Sequence, residues 1–274
     1  MPPKLFERQV ELQVGDALIT GLDVAFEVEK DLSPVPNNCH IDIFNLGPKN
    51  RAELSKHRRI PVTLKAGYKN ALALLFKGDL LRCQHLKEGP TWKTSLSLGD
   101  ALNVIQTKRL KKSYAKGTPL KSVIEDLIKE LGLPAGNVQK ELEKLNEGLA
   151  RGYSISGNAM DQLASILKSQ GYSVSVQDGS LQILNNNKAL EKEAISLTPD
   201  SGLIGTPETA LEGEMSVKTV LMPELSPGRM VHIESVVFKG MAIIERVKFS
   251  GSIFGPVWDS DLTVRRPFKS FFFG

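Results

Sequence analysis

Arg8-Gln9-Val10-Glu11-Leu12-Gln13-Val14-Gly15-Asp16-Ala17-Leu18-Ile19-Thr20-Gly21-Leu22-Asp23-Val24-Ala25-Phe26-Glu27-Val28-Glu29-Lys30 is the stretch on which the fold turns. Val10, Leu12 and Val14 alternate with Glu11 and Gln13, and after the turn signal Gly15-Asp16 the alternation resumes through Leu22, Val24, Phe26 and Val28. Side chains of a strand point to opposite faces in turn, so an apolar period of two predicts two strands with one buried face each.

The same pattern continues outward. After the break Ser33-Pro34-Val35-Pro36-Asn37-Asn38 a third strand is predicted through Cys39, Ile41 and Ile43 to Asn45, followed by a short helix opened by Pro48 and carrying Arg51 to Leu54. Further strands are predicted over Val62–Ala66, Phe76–Leu86 and Trp92–Leu98, the last two joined by Lys87-Glu88-Gly89-Pro90. Several closely spaced strands with one helix among them predict a small barrel or sandwich plugged by a helix at one end.

The period changes at Gly117. Thr118 is an expected N-cap and Pro119 an expected first helical residue for a helix with Leu120, Val123, Ile124, Leu127, Ile128 and Leu131 on one face, closed by Gly132. A short helix with Val138, Leu142 and Leu145 on one side, a brief strand at Tyr153–Ile155 and a second amphipathic helix over Met160–Leu167 follow. Tyr172, Val174 and Val176 then face Leu181 and Ile183 across Asp178-Gly179, a strong hairpin signal. Beyond Asn185-Asn186-Asn187-Lys188 strands return at Ile195–Leu197, Met215–Leu221, Met230–Ile233, Met241–Phe249 and Leu262–Val264. The order is β, then α/β, then β, with no short internal repeat.

Composition places limits on function. With 274 residues, 41% hydrophobic and 24% charged, the chain can bury a core without disulfides or metals. No apolar run approaches the ~20 residues of a membrane helix, and Met1-Pro2-Pro3-Lys4-Leu5-Phe6-Glu7 lacks a secretory apolar segment, which predicts release into the cytosol where the chain is made. Cys39 and Cys83 read as buried thiols rather than a disulfide or metal pair. A formal charge of +4 is too small to mark a nucleic-acid binder. The run Lys108, Arg109, Lys111, Lys112 and Lys116 is read as a solvated, lysine-guarded edge strand in preference to a phosphate-binding patch.

Catalytic patterns are sparse. His40, His57, His85 and His232 are scattered, none with a histidine partner at helical spacing, so neither metal nor cofactor is expected. No nucleophile elbow, phosphate loop or dinucleotide fingerprint occurs. Ser165-Ile166-Leu167-Lys168 and Ser113-Tyr114-Ala115-Lys116 match SxxK without its companion motifs. A glycosidase needs two acids flanking a sugar bond, yet Glu125, Asp126 and Glu130, like Glu141, Glu143 and Glu147, read as solvated helix faces.

Two early segments, Leu18-Ile19-Thr20-Gly21-Leu22-Asp23-Val24-Ala25-Phe26-Glu27-Val28 and Pro36-Asn37-Asn38-Cys39-His40-Ile41-Asp42-Ile43-Phe44-Asn45-Leu46, precede Val62-Thr63-Leu64-Lys65-Ala66-Gly67-Tyr68 and Leu75-Phe76-Lys77-Gly78-Asp79-Leu80. Later come Gly202-Leu203-Ile204-Gly205-Thr206-Pro207 and Leu221-Met222-Pro223-Glu224-Leu225-Ser226-Pro227-Gly228-Arg229. In this order they resemble the baseplate hub, or tail hub, proteins of tailed bacteriophages and related contractile injection particles. The resemblance spans nearly the whole chain. It departs where such hubs often carry a His-Gly-Asp-like turn, since Phe249-Ser250-Gly251-Ser252-Ile253-Phe254-Gly255 stands there before Trp258.

The resemblance implies a β-rich multidomain protein: two tail-tube-like β-barrel or sandwich domains, at 1–116 and 188–265, bracketing a small α/β module at 117–187. Apart from the resemblance, Phe268, Phe271, Phe272 and Phe273 are too apolar for a free terminus, so a C-terminal aromatic arm at 266–274 is expected either to dock on another chain through these four partner-binding residues or to fold back onto its own second barrel. The resemblance also implies a non-enzymatic homotrimer in the distal tail of the virion, a ring adapting the sixfold tail tube to the threefold central spike. Such a ring would line the channel for genome passage, with DNA present only in transit. The tail tube or distal tail protein and the spike are the implied partners, with the tape-measure protein and baseplate wedge as further candidates. The rival expectation is a tail-associated peptidoglycan hydrolase, or a cell-wall-binding protein, acting through the α/β module.

Overall fold

The computed structural model describes residues 7–56, 59–69, 71–145, 148–209 and 214–267. The chain runs β1 (Arg8–Val14), β2 (Ala17–Ile19), β3 (Val24–Asp31), β4 (Asn38–Phe44), α1 (Pro48–Lys56), β5 (Pro61–Tyr68), β6 (Ala71–Glu88) and β7 (Thr91–Gly99). It continues through α2 (Leu102–Thr107), β8 (Arg109–Tyr114), α3 (Leu120–Leu131), α4 (Val138–Leu142), β9 (Tyr153–Asn158), α5 (Ala159–Ser169), β10 (Tyr172–Gln177) and β11 (Ser180–Asn185). The last part is β12 (Ile195–Leu197), a 3-10 turn (Pro199–Ser201), β13 (Leu203–Thr209), β14 (Glu214–Val220), β15 (Met230–Glu234), β16 (Lys239–Ser252) and β17 (Trp258–Arg265).

Two compact units result. Of the described residues, one takes those within 7–31, 37–99 and 190–267; the other takes those within 32–36 and 100–189. The first is mostly one sheet in the order β13-β14-β17-β16-β3-β4-β7-β6-β5-β1-β2, with β15 pairing β16 and β12 pairing β15. Its central joint is antiparallel pairing of β16 with β3, Phe249 opposite Val28 and Gly251 opposite Phe26, which fuses strands from before and after the insert. The barrel expectation needs correction: among the described residues the hydrogen-bonded path ends at β13 and β2 and does not close. Burial follows the alternation. Leu12, Val28, Ile41, Ile43, Val62, Leu64, Phe76, Leu96, Ile233, Val247, Phe249 and Val264 are fully buried in a shared core, each side chain contributing about 1.5–3 kcal/mol.

The second unit has its own core. Leu120, Val123, Ile124, Leu127 and Leu131 of α3 and Met160, Leu163 and Leu167 of α5 are buried in it with Val174, Val176, Leu181 and Ile183. Gly132 closes α3 in the left-handed conformation at φ 67°, its N–H donating to the Ile128 carbonyl. The start of α3 corrects the sequence reading. Pro119, extended at φ −58° and ψ 133°, occupies the cap position without a side-chain bond, and the Thr118 hydroxyl donates to the Ala115 carbonyl instead. Asn158 caps α5 by accepting from the backbone of Met160 and Asp161. The β10–β11 turn has Asp178 at φ 52° and Gly179 at φ 82°, the paired positive values of a type I′ hairpin. Asp100 accepts the Gly179 N–H at 2.8 Å and pins that turn.

Candidate interaction surfaces

Among the described residues no chemistry-bearing cluster dominates, and the distinctive features are faces. The first is the side of the main sheet opposite the core, across β14, β17, β16, β3, β4 and β7. Register places Lys218, Asp261, Lys248 and Glu29 in one row across four strands. A parallel row runs through Asp259, Ser250, Glu27, His40 and Ser97. Lys248 reaches Glu27 at 2.9 Å and Glu29 at 3.7 Å, and Lys218 reaches Asp259 at 3.1 Å and Asp261 at 3.5 Å. Hydrogen bonding to Glu27 and to Asp259 raises the pKa of Lys248 and Lys218 respectively, so both stay charged and paired. On β4, Asp42 accepts from Lys93 at 2.8 Å and from Ser95 at 2.6 Å, with His40 at 3.2 Å. Acids outnumber bases on this face, with Glu27, Glu29, Asp31, Asp42, Glu214, Glu245, Asp259 and Asp261 against Lys93, Lys218, Arg246, Lys248 and Arg265, although the whole chain is formally +4.

The second surface is the β16–β17 turn. Arg8 donates to the carbonyls of Ser252 at 2.9 Å and Gly255 at 2.6 Å, and lies 5.3 Å from the Trp258 ring. Phe254 is 78% exposed beside it and Val257 is 42% exposed. The third is the β15–β16 turn, where Val236 and Val237 are both exposed.

Residues singled out from sequence are dispersed. In the second unit, Asp126 of α3 accepts from Lys112 at 2.6 Å and from the Tyr114 hydroxyl at 2.9 Å, both on β8. The Lys112 hydrogen bond, foremost, holds the Asp126 carboxyl below its ordinary range, while burial, joined by the Asp126 bond and charge, pushes the Tyr114 phenol up to about 12. Arg109 and Lys111 are exposed on β8, which pairs only with β9 among the described strands. Glu141 departs from the expected solvated face: it is buried on α4 and paired with Lys144 at 2.8 Å, while Glu143 is exposed.

Ser113 bonds Ser154 at 2.9 Å, and Ser165 and Lys168 are exposed on α5. His85 sits between Ser55 at 3.0 Å and Thr94 at 2.9 Å, with the half-buried Cys83 thiol at 3.7 Å; burial raises the pKa of that thiol, and also that of the fully buried Cys39. Among the described residues no three His, Cys, Asp or Glu side chains converge as metal ligands, and no helix is long and apolar enough to cross a membrane. His57, Glu147, Phe268, Phe271, Phe272 and Phe273 lie outside the described residues. The chain approaches the arm through Arg265, whose Nε meets Glu245 at 2.7 Å, and Arg266, which lies 5.3 Å from the Phe238 ring.

A family model described as baseplate hub gp41 matches residues 8–249. Among solved structures, a 43 kDa tail protein of prophage MuSo2 from Shewanella oneidensis aligns with a TM-score of 0.70 at 11% identity, over 95% of this chain and 97% of its own. A tail protein from Neisseria meningitidis MC58 aligns with a TM-score of 0.67 at 11% identity over the same shares. The E. coli c3393 protein, a type VI secretion component with structural similarity to the T4 tail proteins gp27 and gp5, aligns with a TM-score of 0.64 at 12% identity, over 94% of this chain and 77% of that one. Among curated proteins, no sequence matches this chain.

Proposed function

This chain belongs to the baseplate hub gp41 family, which makes it a structural component of a phage tail baseplate, and we propose that it acts there as a homotrimeric adaptor between the sixfold tail tube and the threefold central spike. In this reading the β strands before and after the insert form two tube-like domains, so three copies supply six positions of a ring. The pairing of β3 with β16 supports it, because it gives the two regions one continuous wall. Neighbours would be the tail tube or distal tail protein, the spike, the tape-measure protein and the baseplate wedges.

The observation that carries the channel role is the charged face of that wall. Duplex DNA bears about one negative charge per 1.7 Å of axis, and a basic lining would hold it through counterion release. The outer face of β14, β17, β16, β3, β4 and β7 has surplus carboxylates, and Lys218 and Lys248 are already paired. Such a wall repels and passes a polyanion. Particles carrying Glu27→Lys and Asp261→Lys should release DNA more slowly in vitro at low salt, with added salt restoring the rate. An unchanged low-salt rate would remove this face from the channel.

The α/β unit is proposed as non-catalytic. A general acid needs a raised pKa, whereas Asp126 is held ionised by Lys112. Purified protein should leave the turbidity of cell-wall suspensions unchanged; clearing that is lost in Glu125→Gln or Asp126→Asn would establish the hydrolase reading instead.

A further inference from the structure

The turn joining β15 to β16 breaks ordinary turn chemistry. Its centre is Val236-Val237, where turns favour Gly, Asn, Asp, Ser or Pro. Val236 is 97% exposed and Val237 64%. The turn is nonetheless firmly built. The Ser235 N–H donates to the Phe238 carbonyl at 2.8 Å, and the Ser235 hydroxyl accepts the Phe238 N–H at 3.0 Å. Lys239 meets Glu234 at 2.5 Å across the base, and Arg266 lies over the half-buried Phe238 ring. A rigid apolar knob has been set where local preference calls for polar residues, and rule-breaking of this kind points to function.

The same unit carries an apolar hole. Val14, Ala17, Ile19, Leu54 and Ile60, from the β1–β2 turn, α1 and the approach to β5, line a cavity of about 280 Å³. Asp16 and Glu53 stand at its lining, and Leu18 of β2 is 59% exposed. Lys239 is balanced by Glu234, and Glu53 by Lys56 at 3.0 Å, so the knob keeps the net positive charge of Arg266 and the hole the net negative charge of Asp16. At 97% exposure Val236 cannot be filling the hole of its own chain.

We propose that the Val236–Val237 tip of one copy seats in the hole between β1, β2 and α1 of a second copy. Unlike surfaces meet, so the contact is heterologous and repeats from copy to copy until the ring closes. The proposal rests on the trimer reading, and gives it a residue-level joint.

Two preparations in a Cys83→Ser background, one with Val236→Cys and a tag, the other with Ala17→Cys, are mixed, assembled and mildly oxidised. A tagged–untagged disulfide is expected in the mixture and in neither preparation alone. In parallel, Val236→Asp with Val237→Asp should raise the concentration at which the oligomer dissociates about a hundredfold by light scattering, with circular dichroism unchanged. If wild type is trimeric but no cross-copy disulfide forms, the knob and hole do not meet and the proposal falls while the trimer stands. If the aspartate variant stays trimeric and instead fails to join purified tail tubes, the knob's occupant is another tail protein and the proposal is equally overturned. A wild type monomeric both alone and in isolated baseplates would overturn the trimer and this joint with it.

Discussion

Gly251 shows how one residue fits the two halves of the sheet together. It faces the core between Phe26 on β3 and Trp258 on β17, whose rings meet edge to face at 5.6 Å. A Cβ there would lie 2.3 Å from the Phe26 ring and 2.9 Å from the indole, and buried rings cannot move aside cheaply. Gly251→Val should therefore cost about 1–3 kcal/mol in urea unfolding; stability equal to wild type would show that the rings repack freely. Asp42 on β4 tests electrostatics at the same scale. Burial opposes its ionisation, yet hydrogen bonds from Lys93 and Ser95 and the nearby His40 outweigh that and hold its carboxyl below the ordinary range. A group whose folded pKa is depressed stabilises fully above its unfolded value, about 3.9, and loses that contribution as pH falls through the folded one. Asp42→Asn should thus be less stable than wild type by about 1 kcal/mol at pH 7, the gap narrowing in acid. A gap that widens below pH 4 would contradict this.

Between elements, the docking of β8 on α3 rests on Tyr114, Lys112 and Asp126. Ultraviolet titration should find the Tyr114 phenol ionising only near about 12. Asp126→Asn should bring that value only part of the way back, because burial is the largest cause of the shift; full return to the ordinary tyrosine range would make Asp126 the whole cause. Elements of this size were largely legible in the sequence, since the buried residues of β1, β3, α3, α5 and the β10–β11 hairpin follow the periods of two and 3.6 that their apolar residues spell out. Short elements were not. α2 begins at Ala101 in the left-handed region without a side-chain cap and buries only Ile105, and β2 has three residues, so neither leaves a periodic trace. The joining of β3 to β16, more than 200 positions apart, has no local signal, and neither has the open path of the sheet. The charged face was hidden for the same reason: Lys218, Asp261, Lys248 and Glu29 become a row only through register.

For the whole molecule the decisive question is how copies and partners hold one another, and the C-terminal arm is the part of the chain most suited to that task. Phe268, Phe271, Phe272 and Phe273 place four rings within six residues, a density that solvent disfavours on an exposed segment. Pro267 lacks the N–H needed to continue β17 as a central strand. The last described contacts, Arg265 with Glu245 and Arg266 over Phe238, anchor the root of the arm beside the β15–β16 turn, the turn that carries the apolar knob. Burying each ring is worth roughly 1.5–3 kcal/mol, so three buried rings would make a substantial joint, and because the chain belongs to an assembled baseplate we propose that the arm docks on another chain. Deleting residues 268–274 leaves this root and the described core untouched, so the truncated chain should unfold with the wild-type midpoint by circular dichroism. It should fail to form trimers, or to retain the spike, at concentrations where the full chain succeeds. A truncated chain that assembles normally would rule the arm out as an intermolecular joint, and one with a lowered unfolding midpoint would return the rings to the core of their own subunit.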